Sequence, residues 1–181
     1  VVALMGTSFT KDQFELIKKL NVRVILNLDQ DSAGKIGTIS IGDELIKEGI
    51  DVNVIVFNKY KDSDDLISKE GPELFEKYYK SSISFIDFKL NYLRNKKNLN
   101  DSVELSKFIN EAIFNINKLS DDILKEVKIV ELSKEYGLSE ELLRSKIIKN
   151  NKKNITKSPE KTKKILNKYD VSEIRIIYLM I

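Results

Sequence analysis

Two pairs of acidic residues are the side chains in this sequence that could do chemistry. Asp29 and Asp31 follow the apolar run 24–28, and Asp62 and Asp64 follow a second apolar run further along the chain. Carboxylates this close together repel one another unless a cation offsets their charge. Mg²⁺ binds through one or two carboxylates together with water and substrate phosphates, so each pair predicts a divalent-cation site. The alternative interpretation is a solvated turn for the first pair and helix N-capping for the second.

Two glycine-containing turns could bind phosphate beside these acids. Gly34 and Lys35 open the stretch after Asp31, where the free N–H groups of a helix start can hold an anion. Gly6 and Thr7 form another turn after the first apolar run and could line the same site. The simpler interpretation of Gly34 is tight packing of a helix against a strand.

Composition narrows the possible chemistry. The chain of 181 residues contains no Cys, His or Trp, which excludes Cys/His zinc sites, thiol nucleophiles and Ser-His-Asp triads. Any metal must therefore bind to oxygen ligands. No apolar run reaches the roughly 18 residues that a membrane-spanning helix needs, and we expect no membrane partner. Acidic residues are in excess in the first half and basic residues in the second. That arrangement suits a cation site beside a polyanion-binding surface, although solvated helix faces look the same.

Strands and helices alternate in the first part of the chain. Apolar, β-branched runs predict strands over residues 1–5, 22–28 and 52–57. Predicted helices separate them, and the first begins with a capping box at Thr10 and Gln13. This rhythm predicts a parallel sheet with right-handed crossovers. Ligand sites in such sheets form outside the carboxyl ends of the strands, which is where both acidic pairs lie.

Helices dominate the sequence after residue 71. Ser and Asp caps and apolar residues at a 3.6-residue period predict five of them. They are residues 73–79, 82–93, 101–119, 121–136 and 139–149. One apolar stripe consists of Leu105, Phe108, Ile109, Ala112, Ile113 and Ile116. Such a stripe predicts packing against a neighbouring helix, so we expect a helical bundle.

We therefore expect an α/β fold followed by an all-α part. A partial parallel sheet with flanking helices is predicted over residues 1–70, and a helical bundle over 71–149. Residues 150–170 are rich in Lys and Asn and predict a basic flexible linker. Residues 171–181 predict the start of a further, truncated helix.

Three motifs resemble the toprim half of a bacterial DnaG-type DNA primase. They are Ala3-Leu4-Met5-Gly6-Thr7-Ser8-Phe9-Thr10, Val24-Ile25-Leu26-Asn27-Leu28-Asp29-Gln30-Asp31-Ser32-Ala33-Gly34-Lys35 and Lys61-Asp62-Ser63-Asp64-Asp65-Leu66-Ile67. The family patterns are approximately L-G-T-A-L-T, F-D-G-D-x-A-G-[KR] and K-D-P-D-E, in this order. The resemblance continues through the helices to about residue 148. Gln30 stands where the family usually has glycine, and Ser63 where it has proline. Both differences should alter the shape of the loops more than the charge at the metal.

The resemblance implies a nucleotidyltransferase that is a DNA-directed RNA polymerase. Asp29 and Asp31 would hold catalytic Mg²⁺ or Mn²⁺, and Asp62 and Asp64 would complete the acidic cluster. The implied reaction is 5′→3′ synthesis of short RNA primers from NTPs on single-stranded DNA, in the replisome of the bacterial cytoplasm.

The resemblance also implies which parts of such an enzyme lie elsewhere. The toprim glutamate, the basic template-binding ridge and a zinc domain are expected upstream of Val1. Residues 171–181 would begin the domain that docks on the replicative helicase. We therefore expect the fragment 1–181 to be monomeric and inactive in primer synthesis by itself.

Two other functions remain open from the residues. The first is another toprim enzyme, such as a topoisomerase or an old-family nuclease, which shares the acidic pair. A topoisomerase needs a catalytic tyrosine, however, and no tyrosine of this chain has a recognisable catalytic setting. The tyrosines considered are Tyr79, Tyr92, Tyr136 and Tyr178. A receiver-like phosphate-binding module without enzymatic activity is the second alternative. It would need a lone phosphorylatable aspartate, which the paired acids fit less well.

Overall fold

The computed structural model describes residues 2–3, 9–154 and 177–180, in which the chain forms eight helices and five strands. The helices are α1 (Lys11–Leu20), α2 (Ser32–Lys47), α3 (Ser63–Glu70), α4 (Pro72–Lys80), α5 (Phe85–Asn95), α6 (Ser102–Ile116), α7 (Asp122–Tyr136) and α8 (Glu140–Asn154). The strands are β1 (Val2–Ala3), β2 (Val24–Asn27), β3 (Val52–Val54), β4 (Ile83–Ser84) and β5 (Ile177–Met180). None of the helices in these ranges is both long and apolar enough to cross a membrane.

The strands form one sheet in the order β1-β5-β2-β3-β4. β2 lies between β5 and β3 and is parallel to both, with Val24 opposite Ile177 and Val52. β1 is parallel to β5. The predicted parallel arrangement is confirmed for β1, β2 and β3, whereas β5 was not predicted as a strand. The carboxyl ends of β2 and β3, which precede the two acidic pairs, therefore lie at the same edge of the sheet.

β4 makes the sheet mixed, because it pairs with β3 in the antiparallel direction. The sequence predicted a helix over 82–93, whereas α5 begins at Phe85 with Ser84 as its N-cap. A strand of two residues is too short to show an alternating pattern. Asn53 supports the pairing, since its Nδ2 donates to both the carbonyl oxygen and Oγ of Ser82.

The prediction of a helix over 171–181 is wrong for residues 177–180, and the rest of that range lies outside the described residues. Residues 177–180 form a strand between β1 and β2. A short apolar run is compatible with either a helix or a buried strand. The partners that decide between them are at the opposite end of the chain, where local periodicity carries no information about pairing.

The chain divides into two compact units, Val1–Lys96 with Ile174–Ile181, and Lys97–Glu173. The predicted boundary at residue 70 is therefore wrong, and α4, β4 and α5 belong to the unit that contains the sheet. Of the predicted linker 150–170, residues 150–154 continue α8. Its remaining residues lie outside the described ranges.

The sheet of the first unit has an apolar core on each face. Val24 and Leu26 of β2 are almost fully buried in a cluster with Ile17 of α1 and with residues of α2 and α5. Ile25 lies between them in sequence and joins the other cluster, with Leu66 of α3 and partly buried residues of α4. Side chains along a strand alternate between faces, so β2 is covered on both sides and its end is held rigidly.

The second unit is formed by α6, α7 and α8, each of which contacts the other two. The predicted stripe of α6 is confirmed, because all its members except the half-buried Leu105 are buried. Asp101 and Asp121 cap the N-termini of α6 and α7. Gly137 ends α7 in the left-handed conformation, at φ 63°, and its N–H donates to the carbonyl of Ser133, as is typical of a glycine C-cap.

Candidate functional site

The first acidic loop, residues 28–31, connects β2 to α2. Asp29 is half-buried, and no hydrogen bond or ion pair links its carboxylate to another residue of the described ranges. Asp31 is exposed and caps α2, with its Oδ1 accepting from the N–H of Gly34 over 2.7 Å. Asp31 therefore acts as a helix cap, a role that the sequence analysis considered only for the second pair, and its second oxygen stays available to a cation or water.

The second acidic loop, residues 55–62, connects β3 to α3. Asp62 is half-buried and caps α3, with its Oδ1 accepting from the N–H of Asp65 over 2.8 Å. Asp64 lies exposed in the first turn of α3. Asp65 forms an ion pair with Lys69, with 2.6 Å between Oδ1 and Nζ, and this hydrogen bond lowers the pKa of Asp65. Asp65 is therefore neutralised by its own helix, while Asp64 is not.

Hydrogen bonds join the two acidic loops directly. The main-chain N–H of Gln30 donates to the carbonyl of Lys61 over 2.8 Å. The Gln30 side chain accepts from the N–H of Phe57 at 3.2 Å and donates to the carbonyl of Leu28 at 2.9 Å. Nδ2 of Asn27 donates to Oγ of Ser63 over 2.6 Å. Gln30 and Ser63, the two residues that differ from the family pattern, thus add polar contacts between the loops.

Gly34 allows the first acidic loop to lie against α2. A Cβ atom at residue 34 would come within 2.1 Å of the carbonyl oxygen of Asp29, so the tight-packing interpretation of this glycine is confirmed. Its N–H already donates to Asp31, and phosphate binding at residue 34 stays a prediction. Lys35 is half-buried and has no carboxylate partner in the described part of the chain. Gly6 and Thr7 lie outside the described residues.

The four acids do not form one cluster. Within residues 2–3, 9–154 and 177–180, no group of three or more acidic, His or Cys residues is arranged to hold a metal. The physical reason is that Asp31 and Asp62 each direct one carboxylate oxygen to the start of their own helix. Mg²⁺ needs only one or two carboxylates because it keeps several waters. Asp29 and the second oxygen of Asp31 are hard oxygen donors without a competing cation, so this pair fits the ion.

Sequence reasoning located the acids but missed the groups that hold the loops together. A buried asparagine in a strand that is otherwise apolar was the available signal, because a buried amide needs a partner. Asn27 is 4% exposed, and Ser63 is 5% exposed. The amide of Gln30 had no such signal, since its partners are main-chain groups of the other loop.

Comparison with known proteins assigns the fold and then the family. A family model described as Toprim-like matches residues 1–67, so the sheet with its strand-end acids is a toprim-type module. A second family model, the DnaB-helicase binding domain of primase, matches residues 86–141. The DNA primase of Clostridium acetobutylicum is 33% identical over 143 residues, which cover 79% of this chain and 24% of that protein. The DNA primase of Listeria monocytogenes is 34% identical over 157 residues, 84% of this chain and 25% of that protein. Over about four fifths of its length the chain is thus similar to bacterial DnaG-type DNA primases.

Solved structures support the same fold. A DnaG catalytic core has a TM-score of 0.60 at 20% identity and covers 77% of this chain and 46% of that one. A DNA primase domain from Pseudomonas aeruginosa has a TM-score of 0.61 at 18% identity, over 79% of this chain and 46% of that one. The chain spans about a quarter of the length of the curated relatives it matches.

Because these relatives are DNA primases, a topoisomerase, a nuclease or a receiver-like module is not favoured. The helicase-binding match falls on 86–141, whereas the resemblance placed the start of a helicase-docking domain at 171–181.

Proposed function

We propose that this chain forms part of the catalytic core of a primase, which synthesises RNA primers from NTPs on single-stranded DNA in the bacterial cytoplasm. The observation that carries the proposal is the carboxylate of Asp29 beside Asp31 at the end of a central strand of a toprim-type sheet. Asp29 is half-buried and its carboxylate has no partner in the described ranges, so its oxygens are available to a hard divalent cation.

Each residue has a distinct part in this proposal. Asp29 and Asp31 hold Mg²⁺ or Mn²⁺, while Asp62 and Asp64 add negative potential from the neighbouring loop. A bound divalent cation neutralises triphosphate oxygens and stabilises the leaving pyrophosphate. The Lys35 ammonium, in the first turn of α2, supplies positive charge for the nucleotide phosphates. Residues 1–181 by themselves make no primers, because they correspond to only a quarter of a primase.

A chimeric enzyme tests the proposed function. The matched 143-residue segment of the Clostridium acetobutylicum primase is exchanged for the corresponding segment of this chain, and primer synthesis is measured with single-stranded DNA, NTPs and Mg²⁺. We expect synthesis by the chimera and its loss in the Asp29→Asn and Asp31→Asn chimeras. Asp51→Asn is the matched control, since that exposed aspartate pairs with Arg23 at the start of β3 and should have no effect. Undiminished synthesis by the Asp29→Asn chimera would contradict the proposal.

We also infer that the region 86–141 binds a replicative helicase. The match to a helicase-binding domain supports this partner. Ile123 and Val127, one turn apart on α7, expose 78% and 45% of their surface, and such an apolar pair suits a protein interface. Ile123→Asp should abolish co-elution of the chain with a DnaB-type helicase in gel filtration. Leu16 on α1 is an apolar residue that exposes 58% of its surface. Leu16→Asp is therefore the control, which should leave co-elution intact. Co-elution that survives Ile123→Asp would exclude this face of α7.

A further inference from the structure

We propose that Asn27, Gln30 and Ser63 are positioning residues that hold the first acidic loop against the second and thereby set the affinity of the site for a divalent cation. The inference rests on the proposed function, because it takes the cation to bind at Asp29 and Asp31. None of the three side chains carries a charge, so they act on the cation only through the placement of the acids.

The Asn27–Ser63 hydrogen bond ties the two loops at their buried ends. Asn27 is the last residue of β2, immediately before the first acidic loop, and Ser63 is the first residue of α3, immediately after the second. Both side chains are at least 95% buried and lie 2.6 Å apart from Nδ2 to Oγ. Water cannot replace either partner at such depth, so the bond persists whenever the site is folded.

Gln30 ties the loops a second time, between the two acids themselves. Its main-chain N–H donates to Lys61, the residue before Asp62. Its side chain accepts from the N–H of Phe57, at the opposite end of the second loop. The peptide groups on either side of Gln30 are those that orient its two acidic neighbours. Their direction is therefore determined by the second loop as well as by the first.

Side chains that hold metal ligands in place without touching the cation affect its affinity, because a cation requires its ligands at defined positions. Loss of a hydrogen bond that orients a ligand typically weakens metal binding by 10–100-fold. Here the bonds orient loops rather than single carboxylates. Breaking one lets both acidic pairs shift relative to each other while the apolar cores of the sheet remain in place.

Mn²⁺ binding to the chain 1–181 tests the proposal. Free Mn²⁺ is measured by electron paramagnetic resonance during titration, at a temperature well below thermal unfolding of every variant. We expect Asn27→Ala and Ser63→Ala each to weaken Mn²⁺ binding about tenfold or more. The double variant should weaken it no further, since both changes remove the same bond. Ser63→Thr keeps the hydroxyl and should retain the affinity of the unaltered chain.

Asn53→Ala is the matched control. Asn53 lies in the adjacent strand β3 and also donates to a serine, with 3.2 Å between Nδ2 and Ser82 Oγ, but this bond supports β4 rather than the acidic loops. The change should lower the thermal unfolding temperature and leave Mn²⁺ affinity unaltered. Gln30→Met is a second probe, which keeps side-chain length but removes both polar atoms. It should weaken Mn²⁺ binding about tenfold even if the alanine variants of the buried pair fail to fold.

The outcomes separate this inference from the proposed function. Mn²⁺ binding by folded Ser63→Ala or Gln30→Met with unchanged affinity would overturn the positioning role alone. An equal loss in Asn53→Ala would overturn it too, because the effect would then follow from stability. If the unaltered chain does not bind Mn²⁺, or if Asp29→Asn binds it as tightly, the metal site of the proposed function is itself refuted.

Discussion

The carbonyl oxygen of Asp29 occupies the space that a side chain at Gly34 would need, because a Cβ atom there would lie 2.1 Å from it. The first acidic loop thus folds back onto the first turn of α2, where Asp31 also caps the helix. A small residue at 34 is a steric requirement of the loop. The relationship explains why this chain has a glycine three residues after Asp31.

Gly34→Ala should therefore destabilise the first unit and distort the candidate site. Relief of the contact requires a backbone shift, and overpacking of this kind costs about 1–3 kcal/mol. Gly37→Ala on the same helix is the control, because its Cβ would meet only the end of the Leu28 side chain, at 3.2 Å, and the better helix propensity of alanine offsets that contact. Urea unfolding followed by circular dichroism measures both. Equal stability of the two variants would show that the loop can move away from α2 without cost.

The stability of the second unit should depend strongly on Phe108. It is fully buried in α6 and contacts Tyr136, with 5.6 Å between ring centroids. Phe108→Ala should lower the free energy of unfolding of this unit by about 3–5 kcal/mol. Phe114→Ala removes a ring of the same helix that is 51% exposed and contacts the Lys118 ammonium, and it should cost only about 1 kcal/mol. Hydrogen exchange at the α6 amides measures both changes, and similar protection in the two variants would refute the assignment of the core.

Asp101 should make the stability of the second unit depend on pH. Hydrogen bonds from the N–H groups of Glu104 and Val103 lower the pKa of Asp101. A folded-state pKa below the unfolded value of about 3.9 stabilises the fold above that value, and this contribution is lost as the pH falls through the folded pKa. Asp101→Asn keeps the cap without the titration. The stability difference between the native chain and this variant should therefore fall as thermal unfolding is measured from pH 7 to pH 3. A difference that stays constant over this range would contradict the assigned cause.

Local patterns were sufficient to predict the edge of the sheet where the acids lie. Asp29 and Asp62 follow buried strands, and the parallel arrangement of β2 and β3 could be inferred from the alternation of strands and helices. The apolar stripe of α6 could also be predicted, since its residues recur with the period of a helix. These features depend on residues close together in the chain.

Features that depend on distant partners could not be predicted. β5 pairs with strands at the other end of the chain, and α5 packs on the sheet through Phe85, for which Gly42 of α2 leaves room. The same holds for Gln30, whose partners Phe57 and Lys61 are main-chain groups of another loop. Asp31 and Asp62 were predicted as parts of one cluster, but each satisfies its own helix first.

Paramagnetic broadening by Mn²⁺ tests the central claim most directly, because it maps where the cation binds. Substoichiometric Mn²⁺ is added to the ¹⁵N-labelled chain 1–181, and the loss of amide signal intensity is recorded for each residue. The account predicts selective broadening at residues 28–35 and 61–66, reversed by excess Mg²⁺ and absent from the Asp29→Asn, Asp31→Asn double variant. Broadening that is confined to other acidic surfaces, such as Glu140 and Glu141 at the start of α8, or that persists in the double variant, would contradict it.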